Sequence, residues 1–307
     1  MNPFSTPYSV ALCTFNGAEY LSEQLTSILE QTVPPGEIVV CDDGSTDNTN
    51  DVVRSFMARF TEISWKHDIN KEKVGVVKNF EKAIGLCRKE IIFLSDQDDV
   101  WLPCKAATVL QHFATRNFSI VFSDARIVDA QLNYMNLNMF ERVGLTNHYL
   151  KRFHSNHFGM YLLLAGFYVT GATMAFRKQV VQKLLPVPES SWFLHDGWIS
   201  TAGACMDEVS FINEPLILYR QHSRQAIGAF KGIAERVAPR KKPGKLSLLF
   251  GLLRNKPIME SIVLDFFERN KELIPALNLQ SLRKRHAAYR HLLANPKPAR
   301  GLLFRVR

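Results

Sequence analysis

Three times in its first hundred residues the chain runs through a short apolar stretch and breaks into polar, turn-forming residues. Tyr8 to Thr14 gives way to Phe15-Asn16-Gly17, Glu37 to Cys41 to Asp42-Asp43-Gly44-Ser45, and Ile91 to Leu94 to Ser95-Asp96-Gln97-Asp98-Asp99. Segments of helical spacing separate them. Leu21, Leu25, Ile28 and Leu29 recur at intervals of one turn before Pro34-Pro35, which predicts a helix over Glu19 to Gln31. Asn50 to Phe60 and Gly75 to Arg88 read the same way, and Ile63 to His67 adds a further strand. Alternating strands and helices predict a parallel sheet with right-handed crossovers. Ligands collect at the C-terminal strand edge of such sheets, where all three polar turns would lie.

The third turn is chemically the most pointed, with three carboxylates in four positions. Carboxylates that close repel one another unless a cation sits among them, so a divalent metal is one explanation. The other is an acidic turn in which Asp98 or Asp99 caps a helix entered through Leu102-Pro103. Local sequence leaves both open. Asp96 and Asp98, two positions apart in extended chain, project to the same side and can share an ion.

At 307 residues and 46% apolar content, the chain can hold one large α/β domain or a domain with an appendage, and disorder is excluded. Its five cysteines are odd in number and lack C-x-x-C spacing, which suggests a reducing compartment and no zinc site. The N-terminus has no basic region followed by an apolar core, so no secretory signal is expected. Phe158 to Ala175 carries no charge and is long enough to cross a bilayer, but its glycines at 159, 166 and 171 favour a buried element.

Further strands are expected over Phe118 to Asp124 and Gly171 to Phe176, a helix over Lys178 to Leu185, and a strand pair within Glu208 to Tyr219. Residues 130 to 157 show little periodicity and are expected to form a long functional loop or an acceptor-side element. Beyond Gly228 the composition changes, so residues 1–230 are read as the main domain and 231–307 as a basic helical extension. The extension holds a hinge, Arg240 to Lys245, and helices near Leu246 to Leu253, Ile258 to Leu273 and Leu279 to Leu293. From residue 231 onward there are 18 Lys and Arg against 5 Asp and Glu, but 20 against 24 before it. A basic tail on a mildly acidic body points to an anionic surface such as phospholipid. Nucleic acid is not expected, because it calls for basic and aromatic residues together on one face.

Thr14-Phe15-Asn16, Asp42-Asp43-Gly44-Ser45-Thr46-Asp47, Lys73-Val74-Gly75 to Asn79 and Ser95-Asp96-Gln97-Asp98-Asp99-Val100-Trp101, in this order, resemble an inverting family 2 glycosyltransferase of the GT-A fold. The resemblance spans roughly residues 8 to 225. His195-Asp196-Gly197-Trp198 and Tyr219-Arg220-Gln221-His222 are similar to its bacterial rhamnosyltransferase-like branch. The resemblance implies Mg²⁺ or Mn²⁺ on a nucleotide diphosphate, held by Asp96 with Asp98 or Asp99, and with His222 nearby. It implies Asp42 as the reader of a uracil or thymine ring, with Thr14, Asn16, Glu19 and Asp43 in the nucleotide pocket and Lys73 and Lys78 toward the phosphates. Asp196 aligns with the general base, although His195 stands where the family has an acidic neighbour. Gly171, Thr173, Trp192, His195 and Trp198 fall on the acceptor side.

The resulting expectation is a metal-dependent transferase moving a sugar, such as rhamnose from dTDP-rhamnose or a sugar from UDP, onto a lipid-linked or growing surface glycan. It would work in the cytoplasm, peripherally on the inner leaflet. Two alternatives stand beside it: a nucleotidyltransferase that makes the sugar nucleotide, and a non-enzymatic glycan-binding protein.

Overall fold

A computed structural model describes residues 7–155, 157–166, 168–189, 193–225 and 259–294. Strands β1 (Tyr8–Thr14), β2 (Glu37–Asp42), β3 (Ser64–Ile69) and β4 (Ile91–Ser95) alternate with helices α1 (Ala18–Leu29), α2 (Thr49–Arg59) and α3 (Val76–Leu86). Every residue of β1, β2 and β4 is buried, as expected of parallel strands covered on both faces. The two faces are read by alternate residues. Val10, Leu12, Ile38, Val40 and Phe93 pack against Leu21, Leu25, Val53 and Phe56 of α1 and α2. Ala11, Cys13, Val39, Cys41, Ile92 and Leu94 meet Phe80, Ala83 and Ile84 of α3 on the other side. The period of two thus builds a three-layer α/β/α body.

The chain then adds β5 (Val100–Trp101), α4 (Lys105–Thr115), β6 (Ile120–Val128), β7 (Tyr134–Asn138), α5 (Met139–Val143), α6 (Asn147–Arg152) and α7 (Phe158–Ala165). A 3₁₀ turn (Gly171–Thr173) leads into β8 (Met174–Arg177), α8 (Lys178–Val181), α9 (His195–Cys205) and β9 (Val209–Arg220). The strand order is β3-β2-β1-β4-β8-β6-β9-β5, with β7 on β6. β3, β2, β1 and β4 are mutually parallel, as are β6 and β9, while β8 runs antiparallel between β4 and β6. This is the mostly parallel GT-A sheet that the resemblance implied.

Several local expectations are corrected. The acidic turn leads first into β5, which pairs with β9, and not directly into a helix. Residues 130–157 hold a strand and two short helices where a long loop was expected. Glu208 to Tyr219 is one twelve-residue strand, bulged against β6, and not a pair. The uncharged stretch from Phe158 is an eight-residue buried helix followed by a turn and β8. No helix among the described residues is long and apolar enough to cross a membrane.

The expected boundary near 230, the Arg240 to Lys245 hinge and the helix near Leu246 lie outside the described residues. Helices over 259–269 and Ala276–Ala294 are described. Met259, Val263, Phe267, Leu279 and Leu282 join the core beside α7 and α9, so this part of the tail packs on the body.

Candidate active site

The ends of β1, β2 and β4 open on a cavity of about 520 Å³. Thr14, Phe15, Asp43, Lys73, Asn79, Asp96, Gln97 and Asp98 line one side, and Gly171, His195 and Asp196 line the other. The first group comes from the strand ends and loops at the parallel edge and, for Asn79, from the first turn of α3. The second comes from the turn before β8 and from the start of α9, so the two halves are far apart in sequence and meet across one space.

Asp43 anchors the wall. Its Oδ1 accepts from Asn70 Nδ2 (3.0 Å) and from the Val74 amide (2.8 Å), and Oδ2 accepts from the Gly75 amide (2.9 Å). These bonds hold the Lys73-Val74-Gly75 turn against the β2 end. Lys73 Nζ rests 3.5 Å from the Phe15 ring centroid, a cation on a π face. Asp42 does not fit the base-reading role. It is fully buried and accepts from Thr14 Oγ1, the Ser45 amide and hydroxyl, and Asn50 Nδ2, which leaves it no acceptor for a ligand.

Other nucleotide-side expectations divide as follows. Thr14 lines the cavity while bonding Asp42. Asn16, with φ 49°, ties its turn to Ser45 and Thr46 and is not a lining residue. Glu19 is engaged by Arg224 at 3.0 Å. Lys78 pairs with Glu81 at 2.8 Å and is not a lining residue.

The acidic turn separates into distinct environments. Asp96 and Asp98 line the cavity, whereas Asp99 turns inward, where its Oδ1 accepts the Arg220 amide at 3.0 Å. Asp99 Oδ2 is buried with no hydrogen-bond partner among the described residues. Burial, then Asp98 and Asp96, hold the Asp99 carboxyl well above its usual range. Desolvation, then Asp98 and Asp196, push Asp96 up to about 7, with Lys105 opposing. Asp98 Oδ2 lies 2.8 Å from His222 Nε2, and His222 packs beside Tyr20. Among the described residues no three His, Cys, Asp or Glu side chains already surround one point. Two cavity carboxylates, Asp96 and Asp98, the latter in contact with His222, nonetheless suit a cation completed by ligand phosphates, the usual mode for Mg²⁺.

On the far side, Asp196 Oδ2 accepts the Gly171 amide (2.9 Å) and Oδ1 the Gly197 amide (2.7 Å), which aims the carboxylate from the first turn of α9. His195 stacks on Phe80, centroids 4.0 Å apart, and neither ring nitrogen has a partner among the described residues. A Cβ on Gly171 would lie 2.8 Å from His195 Nε2. Two acceptor-side expectations are corrected. Trp198 is fully buried, its indole N–H donating to Leu184 O at 2.7 Å, so it cannot stack on a sugar. Thr173 is buried and bonds Thr170 O. Trp192 lies outside the described residues.

Sequence reading missed three residues. Lys105 is fully buried, donates to Ala172 O at 2.7 Å and sits over the Trp101 ring; burial takes its ammonium down to about 7 against the pull of Asp99 and Asp96. Nothing in Cys104-Lys105-Ala106 signals this. Arg220 is buried, donating to Asp98 O (2.7 Å), Ala130 O (2.6 Å) and Glu23. It stood in the Tyr219-Arg220-Gln221-His222 motif, two positions before the residue that drew notice. Gln97 stood between the two cavity aspartates.

A parallel sheet edge bearing these loops, with a carboxylate facing it from α9, defines a GT-A glycosyltransferase. The chain belongs to glycosyl transferase family 2, whose profile matches residues 9–185. It is 27% identical over 304 residues to the dTDP-rhamnosyl transferase RfbG of Shigella flexneri, covering 90% of this chain and 95% of that one. It is also 27% identical over 219 residues to an uncharacterized glycosyltransferase of Nostoc sp., covering 70% of this chain and 64% of the relative's length. Among solved structures, Staphylococcus aureus TarS 1–349 in complex with UDP superposes with a TM-score of 0.56 at 16% identity, over 86% of this chain and 71% of that one. A Pyrobaculum calidifontis mannosyltransferase in complex with GDP-Man and Mn²⁺ gives 0.53 at 17% identity, over 96% and 83%. Membership of this family supports a glycosyltransferase over the nucleotidyltransferase and non-enzymatic alternatives.

Proposed function

We propose that the protein is an inverting, metal-dependent glycosyltransferase that uses a pyrimidine nucleoside-diphosphate sugar, with dTDP-rhamnose as the first candidate donor. The observation that carries this is the single cavity, in which Asp43, Lys73, Asp96 and Asp98 stand on one side and Asp196 on the other. The RfbG relative, matched along nearly its whole length, supports the rhamnosyl donor.

Asp43 replaces Asp42 as the base reader, because Oδ2 carries one bond and keeps a lone pair on the cavity side. Lys73 and the amides at the α3 start face the diphosphate. Asp98 and His222, with Asp96 beside them, would hold Mg²⁺ or Mn²⁺; bound there, the cation offsets charge growing on the departing diphosphate. Asp196 accepts the proton of the acceptor hydroxyl. The acceptor oxygen forms its bond to the anomeric carbon as the bond to the phosphate oxygen breaks, and the electron pair leaves with the diphosphate. Attack from the face opposite the leaving group inverts the anomeric centre. The acceptor we propose is a lipid-linked or growing surface glycan.

The test is a panel of nucleotide sugars assayed for diphosphate release with Mg²⁺, with Mn²⁺ and with EDTA. Release should require metal, and Asp196→Asn should lower kcat by about 10²-fold or more with diphosphate binding retained. Turnover that survives EDTA or Asp196→Asn contradicts the mechanism.

A further inference from the structure

β1 and β4 pair in parallel as far as Leu12 and Ser95, where the ladder between them ends. Two residues further along, the Gln97 side chain takes over. Its Oε1 accepts the Phe15 amide at 2.7 Å, and its Nε2 donates to the Phe15 carbonyl at 3.0 Å. A primary amide offers the donor and acceptor of a peptide group, so this pair is an added rung made by a side chain. Its seat is shaped to receive it, since a Cβ on Gly17 would lie 2.2 Å from Gln97 Oε1 and 2.3 Å from Cδ.

We propose that Gln97 is a positioning residue that locks the Thr14–Asn16 loop to the Asp96–Asp98 loop, and so sets the affinity of the site for a nucleoside diphosphate. With Gln97 held against Phe15, the aspartates on either side of it both line the cavity. Phe15 in turn carries the Lys73 ammonium on its ring. One amide therefore fixes the spacing between the wall that meets the base and the wall that meets the phosphates. The proposal rests on the donor reading given above.

Full-length wild type, Gln97→Met, Gly17→Ala and the double variant are titrated calorimetrically with UDP and with dTDP in the presence of Mn²⁺. Gln97→Met keeps the length of the side chain and loses both bonds, and should bind about tenfold more weakly, the effect of one to two hydrogen bonds. Gly17→Ala should show a comparable loss by displacing the amide. The double variant should be no worse than the poorer single, because both changes remove one contact. Donor KM should rise more than acceptor KM, whereas a merely structural defect would disturb both and lower Tm. If Gln97→Met does not fold, Gln97→Asn serves, since it keeps the amide but is one methylene too short to span both Phe15 groups, and should lose affinity to a similar extent. Unchanged diphosphate affinity, or additive losses in the double variant, overturns the proposal. Failure of the wild type to bind either diphosphate overturns the donor reading, and this proposal with it.

Discussion

His195 is 4% exposed, stacked on Phe80, and carries two nitrogens that nothing among the described residues engages. Leaving a buried polar group unpaired costs about 1–3 kcal/mol, and the ring lines the cavity with both nitrogens unengaged among the described residues. It also carries a pH signature. Burial holds its pKa below the ordinary value, so below about pH 6.5 the unfolded chain binds a proton that the folded chain resists. Stability is therefore complete above that pH and falls as pH drops, by up to about 1.4 kcal/mol per unit for this one group. His195→Phe, which preserves the stack, should flatten the decline of Tm between pH 6.5 and 5. An unchanged slope would remove His195 as a source of it. At the same scale, sequence could not separate Asp98 from Asp99. Alternation fixes side-chain direction only while the chain stays extended, and here the choice was made by a partner 121 residues away, the Arg220 amide.

β9 ends where the acidic turn ends, and Arg220 is the rivet between them, bonded to Asp98 O, Ala130 O and Glu23 and packed over Tyr20. Its guanidinium holds the backbone of Asp98, while His222, two residues on, meets the Asp98 side chain. Glu23 is half exposed, so the main cost of losing the guanidinium is the two carbonyls of Asp98 and Ala130 left unpaired, about 1–3 kcal/mol each. Arg220→Met should lower stability by that order in urea unfolding, and Mn²⁺-dependent dTDP binding should weaken even at temperatures where the variant is folded. Wild-type binding in the folded variant would limit Arg220 to stability alone. The first four strands and three helices were legible because apolar periodicity switches between two and 3.6 at clear turn residues. The antiparallel insertion of β8 between β4 and β6 was not, since Met174 to Arg177 reads alike in either direction. The same limit hid the helices within 130–157, each six residues or fewer.

Across the whole molecule, charge is separated, with a mildly acidic first 230 residues and a basic remainder. We propose that the basic segment meets an anionic leaflet, each Lys or Arg near the surface contributing about 1 kcal/mol. Full-length protein should float with phosphatidylglycerol-containing vesicles and not with neutral ones, and Arg240→Glu, Lys241→Glu, Lys242→Glu and Lys245→Glu together should reduce recovery severalfold. Equal recovery removes the membrane role. Composition exposed this asymmetry at once but could not show that the stretch from 259 to 282 contributes to the core, because its apolar residues read equally well as a membrane-facing stripe.

Trp198, two residues past Asp196, sets its ring edge-on to Phe266 with centroids 5.0 Å apart, and Asn278 Nδ2 bonds Cys205 O at the far end of α9. The helix that presents the carboxylate thus leans along its length on chain from beyond residue 259. For anyone exchanging C-terminal halves between relatives, this fixes the seam: a graft cut at the end of the sheet would leave α9 without a buttress, whereas one carried past residue 282 brings the buttress with it.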